Sequence, residues 1–263
     1  MKRARRWVGC QVSSRRGGAT GSRAGKGTTV RWLSVIKGVL PVFAGGLLTL
    51  ADGTVKTLQP IEDAEWVESW LRRSVVPCAL WSLTLPLLPI AEGLMLPGGV
   101  NLPMVGLARS GQLVALLWDL RLERPLSQVV GESLVALQWA EGLDERTLET
   151  FARTFCRNPN ISLRTLYEQV YAVQSPPTLG SPAKVHVLSW RPLSEMVSAQ
   201  QFLARHQLPV WFFRLWVGHS LDGEVVAMTE AVEGAPSGLR EHSPLLLQRF
   251  GSGEMFLQSL QGS

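Results

Sequence analysis

The sequence predicts an α/β fold with a mixed central β-sheet flanked by helices. Strand-like segments dominate residues 40–119, two helical segments follow, and a strand–helix–strand order begins at residue 184. Strands that are followed by helices and then alternate with them are typical of a sheet with helices on its faces. With 263 residues, 46% of them hydrophobic, the chain is long enough to bury a substantial core.

The arginine-rich residues 1–31 stand apart from the rest of the chain in composition. They hold nine of the 26 Lys and Arg residues and no acid, so residues 32–263 keep a formal charge of −4 from 17 basic and 21 acidic residues. We expect a disordered tail, because this stretch has no apolar period. The tail would contact nucleic acid or another anionic surface, serve as a transit peptide, or precede the true start codon. The arginines expected to make such contacts are Arg3, Arg5, Arg6, Arg15 and Arg16.

Residues 32–60 are predicted to form short N-terminal strands, and no integral membrane span is expected. Lys37, Pro41 and Gly45-Gly46 interrupt this apolar stretch and leave less than the ~20 clean residues that a span needs. The Gly-Gly pair and the later Asp52-Gly53 are typical of turns between strands. We therefore expect this stretch to add strands to the fold.

Helical spacing is present in three segments. Residues 61–73 have acids early and arginines late, as the helix dipole favours, and apolar residues at helical intervals. Residues 125–143 begin with Pro125, which fits a first helical turn, and carry one apolar face. Residues 144–155 are expected to form a further, shorter helix.

The C-terminal part is predicted to be a strand–helix–strand extension of the same domain. A linker comes first, because Pro, Gly and Ser are frequent there. The predicted segments after it are a strand at 184–190, a helix at 192–207 and strands at 208–219 and 226–232. The boundaries predicted for the whole chain are 1–31 for the tail, 32–60 for the N-terminal strands, 61–172 for the core, 173–183 for the linker, 184–235 for the extension and 236–263 for a C-terminal segment.

The cysteines and histidines predict no metal site. Cys10, Cys78 and Cys156 are far apart, and neither a CxxC pair nor a Cys/His pair has the spacing of metal ligands. The four histidines are equally scattered. Free or buried thiols without disulfide patterning are typical of a reducing compartment, so we expect a cytoplasmic protein.

An acid and a base end the most apolar strand-like segment. Six apolar residues from Leu113 to Trp118 lead into Asp119-Leu120-Arg121. Residues two apart on a strand point to the same face, so we expect the carboxylate and the guanidinium to lie side by side. This pair is either part of a metal and phosphate site or a salt bridge at such a position.

The stretch from Gly111 onwards resembles the core of the PD-(D/E)xK nucleases, which have a restriction-endonuclease-like fold. The resemblance rests on "GQLV", an apolar strand, the acid-x-base pair, a proline and then "VVGESLVALQWAEGLD". The segment from Lys184 to Val226 is similar to the strand, helix and two-stranded ribbon that follow the core in that family. The resemblance covers about residues 40–232. It implies Mg²⁺ held by an Asp and a Glu on adjacent strands, with a Lys that orients or activates water.

The resemblance implies a degenerate active site. Asp119 would replace the family's Glu as a metal ligand, and Arg121 would replace its Lys. Arginine cannot act as a base, although it still binds a phosphate in a bidentate manner. Pro103 falls where the metal-binding Asp is expected, and residues 93–118 contain no acid. Asn101, with an amide oxygen, is the nearest polar substitute on that strand.

Two further sets of acids are candidates on the same resemblance. Glu65 or Glu68, on the helix predicted at 61–73, would supply a second carboxylate to an active site, or else belong to a solvated helix face. Glu132 takes the place of a frequent Gln and is either a surface residue or a remnant of the site.

Aromatic side chains occupy both faces of the strand predicted at 208–219. Trp211 and Phe213 alternate with Phe212, and Trp216 follows. One interpretation is a strand buried on both sides of the sheet. The other is a stacking platform or a protein–protein interface formed by Trp211, Phe213 and Trp216.

The expected function is that of a non-catalytic nuclease-fold protein that acts as a binding or assembly subunit, in one version on DNA through its basic tail. A lone Asp rarely retains Mg²⁺, so neither catalysis nor a cofactor is expected. The first alternative is a divergent endonuclease that uses Asp119 and Mg²⁺. The second is a structural or interaction protein unrelated to nucleic acid. A protein partner or a second copy of the chain is expected.

Overall fold

The computed structural model describes residues 42–44, 47–49, 55–72, 87–173, 178–221, 225–233 and 248–250. In this part of the chain a mixed β-sheet is flanked by α-helices, which confirms the predicted α/β class. The basic tail with its arginines Arg3, Arg5, Arg6, Arg15 and Arg16 lies outside the described residues, as do Cys10, Cys78 and most of the segment 236–263.

Ten strands and five α-helices are described. The strands are β1 (Val42–Ala44), β2 (Leu47–Thr49), β3 (Val55–Pro60), β4 (Leu87–Met95), β5 (Asn101–Ala108), β6 (Gln112–Asp119), β7 (Gly180–Ser189), β8 (Val210–Ser220), β9 (Val225–Ala231) and β10 (Gln248–Phe250). The helices are α1 (Ala64–Trp70), α2 (Leu126–Glu141), α3 (Glu145–Phe155), α4 (Leu163–Tyr171) and α5 (Leu193–Arg205).

The sheet has the strand order β1-β2-β3-β8-β7-β6-β5-β4, with β9 on β8 and β10 on β9. Strands β4, β5 and β6 form an antiparallel meander, whereas β6, β7 and β8 are parallel. Parallel neighbours need crossover connections. The helices α2, α3 and α4 lie in the crossover from β6 to β7, and α5 lies in the crossover from β7 to β8.

Both faces of the central strand β6 are buried because this strand is apolar at almost every position. Leu113, Ala115 and Leu117 of β6 belong to a core shared with α2, α3, α4 and α5. Val114 and Leu116, which point the opposite way, belong to a second core shared with α1. A continuous apolar run is typical of a strand covered on both faces, which is why β6 lacks the alternation of a half-exposed strand.

Most predicted elements are present, with two differences in their bounds. The N-terminal strands, the helices α1, α2, α3 and α5 and the C-terminal strands fall within or close to their predicted ranges. The predicted linker 173–183 is shorter, since Gly180 already pairs with Gln112 and its amide donates to the carbonyl of Gly111. Residues 174–177 of that linker lie outside the described residues. The helix predicted at 61–73 begins only at Ala64, because Asp63 caps it by accepting from the amide of Trp66.

Helix α4 was not predicted from the sequence, and two tyrosines attach it to the sheet. The hydroxyl of Tyr171 donates to the carbonyl of Leu107 over 2.6 Å, and that of Tyr167 donates to the carbonyl of Arg109. Burial raises the pKa of both phenols, so both remain protonated donors at neutral pH. Helix α4 is nine residues long, and Ser162 caps it by accepting from the amide of Thr165.

Replacement by alanine should change the free energy of unfolding in opposite directions at two glycines, one in β8 and one in α2. A Cβ at Gly218 in β8 would lie 2.2 Å from Cη2 of Trp216 and 2.8 Å from the carbonyl oxygen of Gln59. We expect Gly218→Ala to lower the free energy of unfolding by about 1–3 kcal/mol. Gly131, exposed on α2, has no atom within 4 Å of such a Cβ, so Gly131→Ala should raise it by about 0.5–1 kcal/mol. Urea unfolding of both variants measures these two changes in the free energy of unfolding. A decrease for Gly131→Ala would contradict the open space that surrounds Gly131.

None of the described helices is long and apolar enough to cross a membrane.

Candidate functional site

Asp119 is the last residue of β6 and is fully buried. Parallel pairing places it beside Ser189, the last residue of β7. The Ser189 hydroxyl donates to the Asp119 Oδ2 atom over 2.7 Å, and Nε of Arg191 donates to the same oxygen over 2.7 Å. The Arg191 side chain is only 8% exposed, so this is a buried ion pair with an added hydroxyl donor.

A second arginine approaches the other carboxylate oxygen. Nη2 of Arg124 lies 3.6 Å from Oδ1 of Asp119 and donates to the carbonyl of Trp118 over 3.1 Å. Nη1 of Arg124 donates to Glu132 on α2 over 2.9 Å. Arg191 in turn donates through Nη2 to the carbonyl of Arg124. We call Asp119, Ser189, Arg191, Arg124 and Glu132 the ion network.

The ion network ties together the two turns that follow parallel strands. Arg124 lies in the turn between β6 and α2, and Arg191 lies in the turn between β7 and α5. Two carboxylates and two guanidinium groups balance in formal charge, and Glu195 adds a partly exposed carboxylate 3.7 Å from Arg191. Both short hydrogen bonds are accepted by Oδ2 of Asp119, and guanidinium nitrogens of Arg191 and Arg124 lie 3.5 and 3.6 Å from Oδ1. A metal cation at Oδ1 would therefore meet two positive charges.

Arg121 does not lie beside Asp119, and the prediction that these two residues pair is wrong. Strand β6 ends at Asp119, so the two-residue alternation of a strand does not continue to Arg121. The Arg121 side chain is 56% exposed, and its Nη2 lies 3.8 Å from Oε1 of Glu65 on α1. Asp119 instead pairs with Arg191, which is 72 residues further along the chain.

The carboxylates of α1 have other partners than Asp119. Glu65 pairs with Arg121, and Oε1 of Glu68 accepts from Arg72 over 2.9 Å, one helical turn later. Glu68 thus forms an ion pair with Arg72 on the surface of the helix. This position agrees with the interpretation of Glu68 as part of a solvated helix face. Within the described ranges, no group of three or more His, Cys, Asp or Glu side chains is placed to hold a metal ion.

Strand β5 brings no ligand to the ion network. Its register with β6 runs from Leu107 opposite Leu113 to Met104 opposite Leu116, so the ladder between the two strands stops short of Asp119. Pro103 is buried in β5 and has no ligating side chain. Asn101 begins the strand and pairs with Met95 of β4.

The aromatic strand is a core strand. Trp211 is 8% exposed and Phe213 is fully buried, and both pack in the core that includes α1. The alternative that Trp211 and Phe213 form an exposed interface or stacking platform is therefore wrong, because the chain itself covers them. Trp216 is half-buried and lies against Gly218.

His186 shares that core and is held neutral. Its ring lies 5.5 Å from the ring of Trp211 and 5.0 Å from that of Phe213. Burial, with a smaller contribution from Lys184, lowers the pKa of His186 from 6.5 to about 3.

The depressed pKa of His186 predicts a loss of stability in acid. Between about pH 6.5 and pH 3 the unfolded chain binds a proton at this residue and the folded chain does not. Stability is therefore lost as the pH falls through this window, by up to about 1.4 kcal/mol per pH unit. Guanidinium unfolding between pH 7 and pH 4 should show this slope for the native chain and a shallower one for His186→Leu. Equal slopes for the two proteins would contradict it.

The two arginines of the ion network were missed from the sequence, although a short repeat marks them. Arg124-Pro125-Leu126-Ser127 and Arg191-Pro192-Leu193-Ser194 have the same four residue types. In each copy the arginine precedes the proline that caps a helix following a parallel strand, α2 in one case and α5 in the other. The repeat therefore identifies two equivalent turns whose arginines converge on one carboxylate.

No protein-family model, no curated protein and no solved structure matches this chain significantly.

Proposed function

We propose that this chain is a non-catalytic protein of the restriction-endonuclease-like fold that acts as a binding or assembly subunit. One observation carries the proposal: the carboxylate that would bind Mg²⁺, Asp119, is fully buried and paired with Arg191 and Arg124. A structural ion network occupies the position at which the resemblance expects a metal centre.

The order of the elements supports the fold part of the proposal. Strands β5 and β6 are adjacent and antiparallel, as expected for the two strands that would bear the metal ligands, and β6 is followed by a helix, α2. The later part has a strand, a helix and a strand paired with a further antiparallel strand, β9. This is the order that the resemblance implies for the segment after the core.

The chemistry of the ion network supports the non-catalytic part. Mg²⁺ is usually held by one or two carboxylates together with substrate phosphates, and it dehydrates reluctantly. Here Arg191 would have to leave Asp119 and would then be a buried charge without its principal partner, whereas Arg124 would keep Glu132. Arg121 stands in the place of the family's Lys, and an arginine cannot activate water as a base.

The surface charges favour a partner other than nucleic acid for the described part of the chain. Five arginines with partly exposed side chains have an acidic partner: Arg72 with Glu68, Arg121 with Glu65, Arg124 with Glu132, Arg153 with Glu149 and Arg164 with Glu145. Binding of DNA depends on guanidinium and ammonium groups that neutralise phosphates. We therefore assign any contact with DNA to the arginines of residues 1–31.

The proposal predicts that the purified chain does not cut DNA. Single-stranded, branched and duplex DNA should stay intact with Mg²⁺ or Mn²⁺, and any retention of DNA should be unchanged in Asp119→Asn. Alanine at Arg3, Arg5 and Arg6 together should instead weaken that retention. Metal-dependent cleavage that disappears in Asp119→Asn would contradict the proposal and support the divergent endonuclease.

A further inference from the structure

One exposed surface joins α1 to the turn after β6. The ion pair between Arg121 and Glu65 links the two segments. The residues that follow these two in sequence, Leu122 and Trp66, are large apolar side chains that are 51% and 38% exposed. We call these four residues the α1 surface.

The aromatic part of the α1 surface is held in place before any partner binds. The ring of Trp66 stacks on that of Trp70, with centroids 6.1 Å apart and planes 8° apart, and Trp70 is buried. The amide of Trp66 donates to the capping carboxylate of Asp63. A rigid, exposed tryptophan loses little entropy on binding, and tryptophan is among the residues that contribute most to protein interfaces.

The cation next to this surface is also fixed. The guanidinium of Arg72 lies 5.1 Å from the ring centroid of Trp118 and pairs with Glu68. Its charge is therefore already used within the chain and does not attract a phosphate backbone.

The net formal charge of the exposed side chains on the α1 surface and its border is negative. Glu62, Asp63, Glu65 and Glu123 are exposed, whereas Arg121 is the exposed cation among residues 61–66 and 121–123. An acidic border around apolar side chains repels nucleic acid and complements a basic segment.

We propose that the α1 surface docks a partner protein through a segment that carries Lys or Arg together with a large apolar side chain. The apolar side chain packs against Trp66 and Leu122, and the basic side chains pair with the surrounding acids. This inference rests on the proposed function, because it names the surface through which a binding or assembly subunit would act.

The test is site-specific photocrosslinking of the full chain in its own cells. Benzoylphenylalanine replaces Trp66 in one variant and Leu122 in a second, so that a folding defect at one site does not decide the result. Phe202 on α5, 51% exposed, is the matched control position. We expect a protein adduct from positions 66 and 122 and none from 202, with a crosslinked peptide that has more basic than acidic residues.

Charge reversal separates specific docking from incidental contact. Glu62→Lys together with Glu65→Lys should reduce the adduct from position 122 about tenfold, because exposed charges steer association. Glu141→Lys, a single charge reversal on the exposed side of α2, should leave the adduct unchanged.

Several results would overturn the inference. These are the absence of an adduct, an adduct to nucleic acid, an acidic crosslinked peptide, a peptide from a second copy of this chain, or equal adducts from position 202. Metal-dependent DNA cleavage would overturn the proposed function itself, so the two failures are distinguishable.

Discussion

Replacing Asp119 with alanine is expected to lower the free energy of unfolding by about 3–5 kcal/mol, because removal of one partner leaves a buried charge uncompensated. Arg191 is 8% exposed and would lose its principal acceptor, and the Ser189 hydroxyl would lose its own. Arg124 would keep Glu132 as a partner, so most of the cost should come from Arg191. Urea unfolding followed by circular dichroism measures this change.

The matched control is Arg121→Ala. Arg121 has the same charge as Arg191 and lies close to Asp119 in sequence, but its partner Glu65 is 85% exposed. An exposed ion pair contributes about 0–1 kcal/mol, so this variant should unfold almost as the native chain does. If Asp119→Ala cost no more than Arg121→Ala, the ion network would not be structural.

Replacing Gln200 with alanine is expected to cost about 2–4 kcal/mol of stability, because two buried backbone groups would lose their partners. Gln200 is fully buried on α5. Its Oε1 accepts from the amide of Phe212 over 2.8 Å, and its Nε2 donates to the carbonyl of Val210 over 3.2 Å. The ladder between β8 and β9 begins only at Phe213. The side-chain amide of Gln200 therefore binds backbone groups of β8 that precede this ladder.

Gln201 supplies the control for this variant. It is the next residue on α5, has the same side chain and is exposed. Gln201→Ala should change the free energy of unfolding by less than about 0.5 kcal/mol. Hydrogen exchange at the amide of Phe212 should accelerate in Gln200→Ala alone, and an unchanged exchange rate would show that this amide does not depend on Gln200.

Much of the fold could be predicted because its signals are local. Pro125 at the start of α2 and the apolar run of β6 each report on a few neighbouring residues. The start of β7 could not be predicted in this way. Residues 180–183 resemble a linker in composition and become a strand only because β6 offers them a parallel partner.

The candidate site was predicted in position but not in its contacts. Asp119 was correctly placed at the end of a strand, yet its assumed partner, Arg121, lies beyond that end and pairs with α1. Its true partner, Arg191, is distant in sequence and meets it only because β6 and β7 are parallel neighbours. The repeated Arg-Pro-Leu-Ser turn was a usable signal, since it marks both arginines at equivalent places.

The most direct test of the central claim, that Asp119 is a structural residue and not a metal ligand, is a calorimetric titration of the full chain with Mg²⁺ and then Mn²⁺. The ion network predicts no saturable heat with either ion and no difference between the native chain and Asp119→Asn. A stoichiometric binding heat in the native chain that is lost in Asp119→Asn would contradict the claim.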